Sequence, residues 1–142
     1  MVTHDCRVHK LIADVAVLAG DRALFVRYRD VREYDGQRGW FLPDAALQRY
    51  EHPDDCAARI LREQVGLSVP VTLDHIESLG NGTWHLIFHF RAALDDVPPI
   101  EPGANVEAAD WFPLAALPEP GDVAHDGWGL DVLERIRHPA AD

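Results

Sequence analysis

The chain has two cysteines, few positive charges and no long apolar run, and each shortage removes a class of function. Cys6 and Cys56 lack Cys-x-x-Cys spacing and belong to no small secreted framework, so no disulfide is expected and a reducing cytosol is the simpler setting. No apolar run approaches membrane-spanning length, and Met1 is followed by the polar Thr3-His4-Asp5. Neither a transmembrane helix nor a signal peptide is therefore expected, and the protein is read as cytoplasmic. Positive charge is also scarce: 13 Lys and Arg face 24 Asp and Glu, for a net charge of -11. That balance argues against a DNA or RNA binder, whose footprint is a basic face. A small anionic ligand stays open, because it needs only a local positive site or a metal. The single lysine, Lys10, is explained by a GC-rich coding sequence and carries no functional weight.

What is present suits one folded domain. A length of 142 residues allows a real core but not two ordinary domains, and 47% hydrophobic with 26% charged residues is a globular composition. The domain is expected to span 1–142, with flexible ends at 1–9 and 138–142. Residues 10–18 and 23–28 are apolar runs around the Ala19-Gly20-Asp21 turn and predict a hairpin. Residues 29–39 are polar and predict a mobile loop leading into Trp40-Phe41-Leu42, which Pro43 stops. Pro53 suits a first helical position, Asp54 and Asp55 suit the positive end of the helix dipole, and Gly66 suits a C-terminal stop. These predict a helix over 53–65 that buries Ala57, Leu61 and Val65. Residues 69–78 and 83–94 are strand-like about Gly80-Asn81-Gly82, residues 96–105 read as a loop, Trp111-Phe112 begins a short apolar element, and residues 130–136 suit a C-terminal helix. Strands, a helix, more strands and a last helix predict a mixed α/β sandwich.

One spacing is more specific than these. Ala45-x5-Glu51-x7-Arg59-Ile60-Leu61-Arg62-Glu63-Gln64-Val65-Gly66-Leu67 resembles the Nudix box of the MutT-like Nudix hydrolase superfamily, Gly-x5-Glu-x7-Arg-Glu-U-x-Glu-Glu-x-Gly-U, with U a large apolar residue. Trp40-Phe41-Leu42-Pro43 is similar to the family's Trp-x-x-Pro lead-in, and Trp111 through Leu117 to its late Trp-and-Leu segment. The resemblance implies a Nudix-type α/β/α sandwich, with a mixed β-sheet between helices and a ligand cleft between the 53–65 helix, the loop before Trp40 and the segment around Glu107. It also implies magnesium- or manganese-dependent hydrolysis of a phosphoric anhydride, and it makes a homodimer possible.

The box is degenerate at the positions that matter for charge. Attack of water on a pyrophosphate gathers negative charge on anionic oxygens, which metal ions and positive side chains must neutralise. At about 100° per residue, positions 60, 63 and 64 share one arc of the helix. Ile60 and Gln64 replace family carboxylates there, leaving Glu63. A unit charge at about 4 Å is worth about 4 kcal/mol at an effective dielectric near 20, and roughly twice that against a divalent ion. Loss of a general base typically costs about 10²- to 10⁴-fold in rate. The family's Pro-Gly-Gly, whose backbone carbonyl ligates metal, reads Pro43-Asp44-Ala45, so the turn is expected to change shape.

Each remaining candidate has two readings. Glu63 and Arg59 are catalytic candidates, and Glu63, Glu51 and Glu107 are metal candidates with Asp110 nearby, but Glu63 equally suits a surface pair with Arg59. Arg27, Arg29, Arg32 and Arg38 with Tyr28, Tyr34 and Trp40 suit phosphate and base recognition or simply a solvated loop. Ile60 and Cys56 read as core. His85 and His89 share one strand face, but no third metal ligand is legible, so both read as solvated or core-edge. Trp84, Trp111 and Trp128 read as packing residues. The favoured function is binding of a nucleoside-diphosphate-linked or similar phosphate ligand with weak or no hydrolysis. The alternative is a magnesium-dependent pyrophosphohydrolase with a rearranged carboxylate site.

Overall fold

A computed structural model describes residues 9–139. Cys6 and most of the two expected flexible ends lie outside that range, while His9 begins the first strand. In chain order the elements are β1 (His9–Ala19), β2 (Arg22–Tyr28), β3 (Asp44–Ala46), α1 (Pro53–Val65), β4 (Thr72–Asn81), β5 (Thr83–Leu94), β6 (Val106–Pro113) and α2 (Ala124–Arg137). They form one six-stranded mixed sheet in the order β4-β5-β1-β2-β6. β1 and β5 run parallel in register from His9↔Trp84 to Ala19↔Leu94, and the other pairings are antiparallel. The far edge of β1 is shared: β3 pairs with Ile12–Asp14, and β2 pairs only at Leu18 and Ala19. No helix among the described residues is long and apolar enough to cross a membrane.

Strand alternation sorts the core into two layers. Ala13, Val15 and Val17 of β1, with Leu24, Val26 and Tyr28 of β2, pack against Cys56, Ala57, Ile60, Leu61 and Val65 of α1. Ala16, Ala23 and Phe25, on the other face, meet Val132, Leu133 and Ile136 of α2. α1 has the expected limits and buried stripe. Pro53 stands in its first turn, and Gly66 closes it in the left-handed region at φ 73, donating its N–H to the Leu61 carbonyl.

Three expectations need correction. β6 begins at Val106, so Trp111-Phe112 ends a strand rather than starting an element; pairing with β2 supplies the order that Glu107-Ala108-Ala109-Asp110 does not signal by itself. α2 is entered through three left-handed residues, His125, Asp126 and Gly127, well before 130. Trp84 is 52% exposed and not a packing residue. The 29–39 segment also has contacts of its own: Asn105 accepts from the Asp30 N–H at 2.8 Å and donates to its carbonyl at 2.9 Å, and His125 meets Asp35 at 3.0 Å.

Candidate functional site

Glu51 and Arg59 form a closed pair at the start of the box helix. The guanidinium Nε and Nη2 donate to the two Glu51 oxygens at 2.8 and 3.0 Å, and the side chains are only 12% and 15% exposed. Hydrogen bonding from Arg59 holds the Glu51 carboxyl down at about 2, against burial, and raises the guanidinium in turn. Nη2 also donates to the Ala46 carbonyl at 3.2 Å, so Arg59 fastens the segment before α1 onto the helix. Glu63 is 53% exposed and lies 3.5 Å from Arg59, at the weak limit of a surface pair.

Beside this pair, the positions that distinguish the box are used internally. Ile60 is buried in the α1 layer. Gln64 spans two partners: its Nε2–H donates to the Asp44 carbonyl at 2.9 Å, and its Oε1 accepts from the Tyr28 hydroxyl at 2.8 Å. The Tyr34 hydroxyl donates to the same Asp44 carbonyl at 3.1 Å, and the Asp44 N–H donates to Tyr28 at 3.0 Å. A hydroxyl has one proton and a carbonyl two lone pairs. Tyr28 therefore spends its proton on Gln64, and Gln64 with Tyr34 fills the Asp44 carbonyl. Burial, then the Asp44 charge, raises both phenols, and burial raises the Asp44 carboxyl. Residues 44–46 are extended in β3, and neither Asp44 nor Ala45 enters the left-handed region. Cys56 is fully buried beneath it, its thiol pushed up to about 12 by burial.

The remaining sequence candidates are dispersed. Arg27 lies over the Trp40 ring at 5.5 Å and 3.6 Å from Glu107, an exposed cluster on the sheet face away from α1. Arg29 and Arg38 are exposed, and Arg32 pairs with Asp30 beside it in the loop. The carboxylates of Glu51, Glu63 and Glu107 do not converge into a metal-sized cluster among the described residues.

A cavity of about 490 Å³ opens instead on the α2 side of the sheet. Ile12 and Ile87 form its floor and Leu79, on the edge strand, stands at its rim, with Tyr34, Phe41 and Trp128 as aromatic walls. Asp35, Asp44, His85 and His125 supply polar atoms, and the buried Nε2 of His85 has no partner. The expected cleft included the loop before Trp40, and this cavity does reach that loop at Glu33, Tyr34 and Asp35. Its walls include neither α1 nor Glu107. His125 is held at φ 56, a conformation a non-glycine residue adopts only when its surroundings impose it.

Next to the cavity floor is a polar row for which the sequence reading found no partners. His89 is 0% exposed, with Nδ1 2.7 Å from Asp14 and Nε2 2.8 Å from Glu77. His75 lies opposite His89 in the β4–β5 register, with its own Nδ1 2.6 Å from Asp74. Burial opposes charge on His89, but its two carboxylate partners outweigh that and raise its pKa, while burial raises the Asp14 carboxyl. The core-edge reading of His89 is thus replaced by full burial. Its signal was Asp14, an acid within the apolar run of β1, where a charge needs a partner.

The NUDIX domain family model matches residues 8–131. Among curated proteins none matches the sequence. A MutT/nudix family protein from Enterococcus faecalis is similar in structure, with a TM-score of 0.75 at 16% identity over 96% of this chain and 64% of that one. The chain thus spans under two thirds of that relative's length. A MutT NUDIX hydrolase from Burkholderia pseudomallei gives 0.71 at 20% identity, covering 89% and 96% of the two chains. The NUDIX domain of Shewanella oneidensis NrtR, in complex with ADP ribose, gives 0.74 at 18%, covering 94% and 92%. At these identities the structural likeness speaks for the fold; the matched family model, covering most of the sequence, carries membership. The chain belongs to the Nudix family.

Proposed function

We propose that this Nudix-family chain binds a nucleoside-diphosphate-linked ligand of the ADP-ribose type with weak or no hydrolysis. The observation that carries this reading is the filled Asp44 carbonyl. Gln64 and Tyr34 occupy its two lone pairs, and Ile60 and Gln64 bring no charge to the helix arc. Mg²⁺ requires near-octahedral oxygen ligation, and these residues do not fit a family-type magnesium or manganese site. The ligand class rests on the cavity, whose volume is in the range of small-molecule sites and whose Tyr34, Phe41 and Trp128 offer faces for a base. Arg29 and Arg38, exposed in the neighbouring loop, are the candidates for the phosphates, with the separate Arg27–Trp40 pair as a further candidate. Glu63 favours the second reading, a pyrophosphohydrolase with relocated metal ligands, because its carboxylate is exposed and only loosely paired.

Calorimetry with ADP-ribose and ADP, run with and without Mg²⁺ or Mn²⁺ and alongside assay of nucleotide release, separates the two. Binding heat without metal-dependent turnover is expected. Leu79→Trp, at the half-open rim of the cavity on the edge strand, should weaken that binding at least tenfold while leaving the melting temperature in place. Brisk metal-dependent turnover would overturn the silent reading, and binding indifferent to Leu79→Trp would remove the ligand from this cavity.

A further inference from the structure

We infer that the α2 face of the sheet carries a second kind of site, a transition-metal centre suited to Zn²⁺ and built from His75, Glu77 and His89. It is independent of the box helix, which packs on the opposite face, and of the ligand reading above. β4 and β5 pair His75 with His89, and Glu77, two residues on, points to the same side. One ligand atom from each of the three lies within 4.8 Å of the others. Two imidazole nitrogens and one carboxylate oxygen are a borderline donor set that suits zinc and not magnesium, which takes oxygen ligands.

The surroundings are those of a supported metal site. Each imidazole has a carboxylate behind it: Asp14 holds Nδ1 of His89 at 2.7 Å, and Asp74 holds Nδ1 of His75 at 2.6 Å. Asp74 is itself 3.5 Å from Arg91 Nε. Carboxylates in this position fix the tautomer and ring orientation of metal-ligating histidines and raise their basicity. With Nδ1–H given to Asp14, it is at Nε2 that a metal binds, displacing the proton that Nε2 shares with Glu77 in the ion-free row. A structural role for His89 alone would need Asp14 and Glu77; it would not need His75 facing it at 4.5 Å between ring centroids with a carboxylate of its own. Ligand atoms about 2.0–2.2 Å from a tetrahedral Zn²⁺ stand roughly 3.3 Å apart. The 2.8 Å separation of His89 and Glu77 must therefore open by about half an ångström. Glu77 has the freedom to do so: its side chain is 28% exposed, against 11% for His75 and 0% for His89. The site is thus closed on the sheet side and open at Glu77, where water can complete the coordination.

The test uses tag-free, chelator-stripped protein of residues 1–142. Zn²⁺ titrated against a chromogenic chelator should bind at one equivalent per chain, with millimolar Mg²⁺ unable to compete. Co²⁺ should give the visible absorption of a tetrahedral site. The double variant His75→Ala with Glu77→Gln should lose the equivalent, and Asp74→Asn, which leaves all three ligands in place, should weaken binding about 10- to 100-fold. Zn²⁺ should raise the melting temperature of the wild type and not of the double variant. If that variant does not fold, Glu77→Gln alone decides, since it conserves size at a half-buried edge position. Absence of a stoichiometric Zn²⁺ site, or unchanged binding in the variant that folds, would overturn the inference and identify the row as an ion-pair network.

Discussion

At position 64 a carboxamide nitrogen donates to the Asp44 carbonyl at 2.9 Å, a bond that a carboxylate cannot make. Gln64→Glu should therefore destabilise the fold by about 1–3 kcal/mol, since one buried hydrogen bond is lost and a carboxylate oxygen would face the Asp44 carbonyl, as read by urea denaturation. Added Mg²⁺ should not restore the loss; restoration would mean that the family's metal site is still latent here. Glu51 supports a pH prediction. Its folded-state carboxyl is held at about 2 against an ordinary 4.5, so it binds its proton more weakly when folded. The resulting stabilisation is full above about 4.5 and is lost as pH falls through about 2. The stability gap between wild type and Glu51→Gln should narrow across that window in pH-dependent melts, and a gap constant down to pH 2 would contradict the pairing. Glu51, Arg59 and Gly66 were legible as a spacing. That Gln64 would close onto the Tyr28 hydroxyl and the Asp44 carbonyl was not, because these groups meet only across three separate segments.

Between elements, the loop following β5 closes the open end of α1. Gly103 donates its N–H to the Gln64 carbonyl at 2.8 Å, and Glu101 donates to Val65 at 3.1 Å, satisfying carbonyls that the helix itself leaves free. A Cβ on Gly103 would come within 1.9 Å of the Glu63 carbonyl oxygen, a backbone atom with nowhere to go. Gly103→Ala should thus cost about 1–3 kcal/mol or more by denaturant melt and fray the last turn of α1. An equally stable variant would mean that the loop does not dock on the helix. The limits of α1 could be read because proline, aspartates and glycine act locally at helix ends. Those of β6 and α2 could not: β6 depends on its pairing with β2, and the first turn of α2 contains three left-handed residues of which only Gly127 favours that conformation by itself.

Across the whole molecule, the sheet separates two chemistries. The α1 face holds the Nudix-box helix, sealed by Ile60 and Gln64, while the α2 face holds the cavity and the Asp14–His89–Glu77 row. The placement of that row follows from register: a one-residue slip of β4 against β5 would turn His75 and Glu77 to the other face. The amino-acid sequence by itself determined the layering and the box helix with its neutral Ile60 and Gln64, because alternation, helix-end signals and motif spacing are properties of neighbours along the chain. Only the tertiary structure decided that the Asp44 carbonyl is filled and that two histidines and a glutamate converge beside the cavity. Those contacts join segments distant in sequence, and no local preference encodes which strand residues come to face one another.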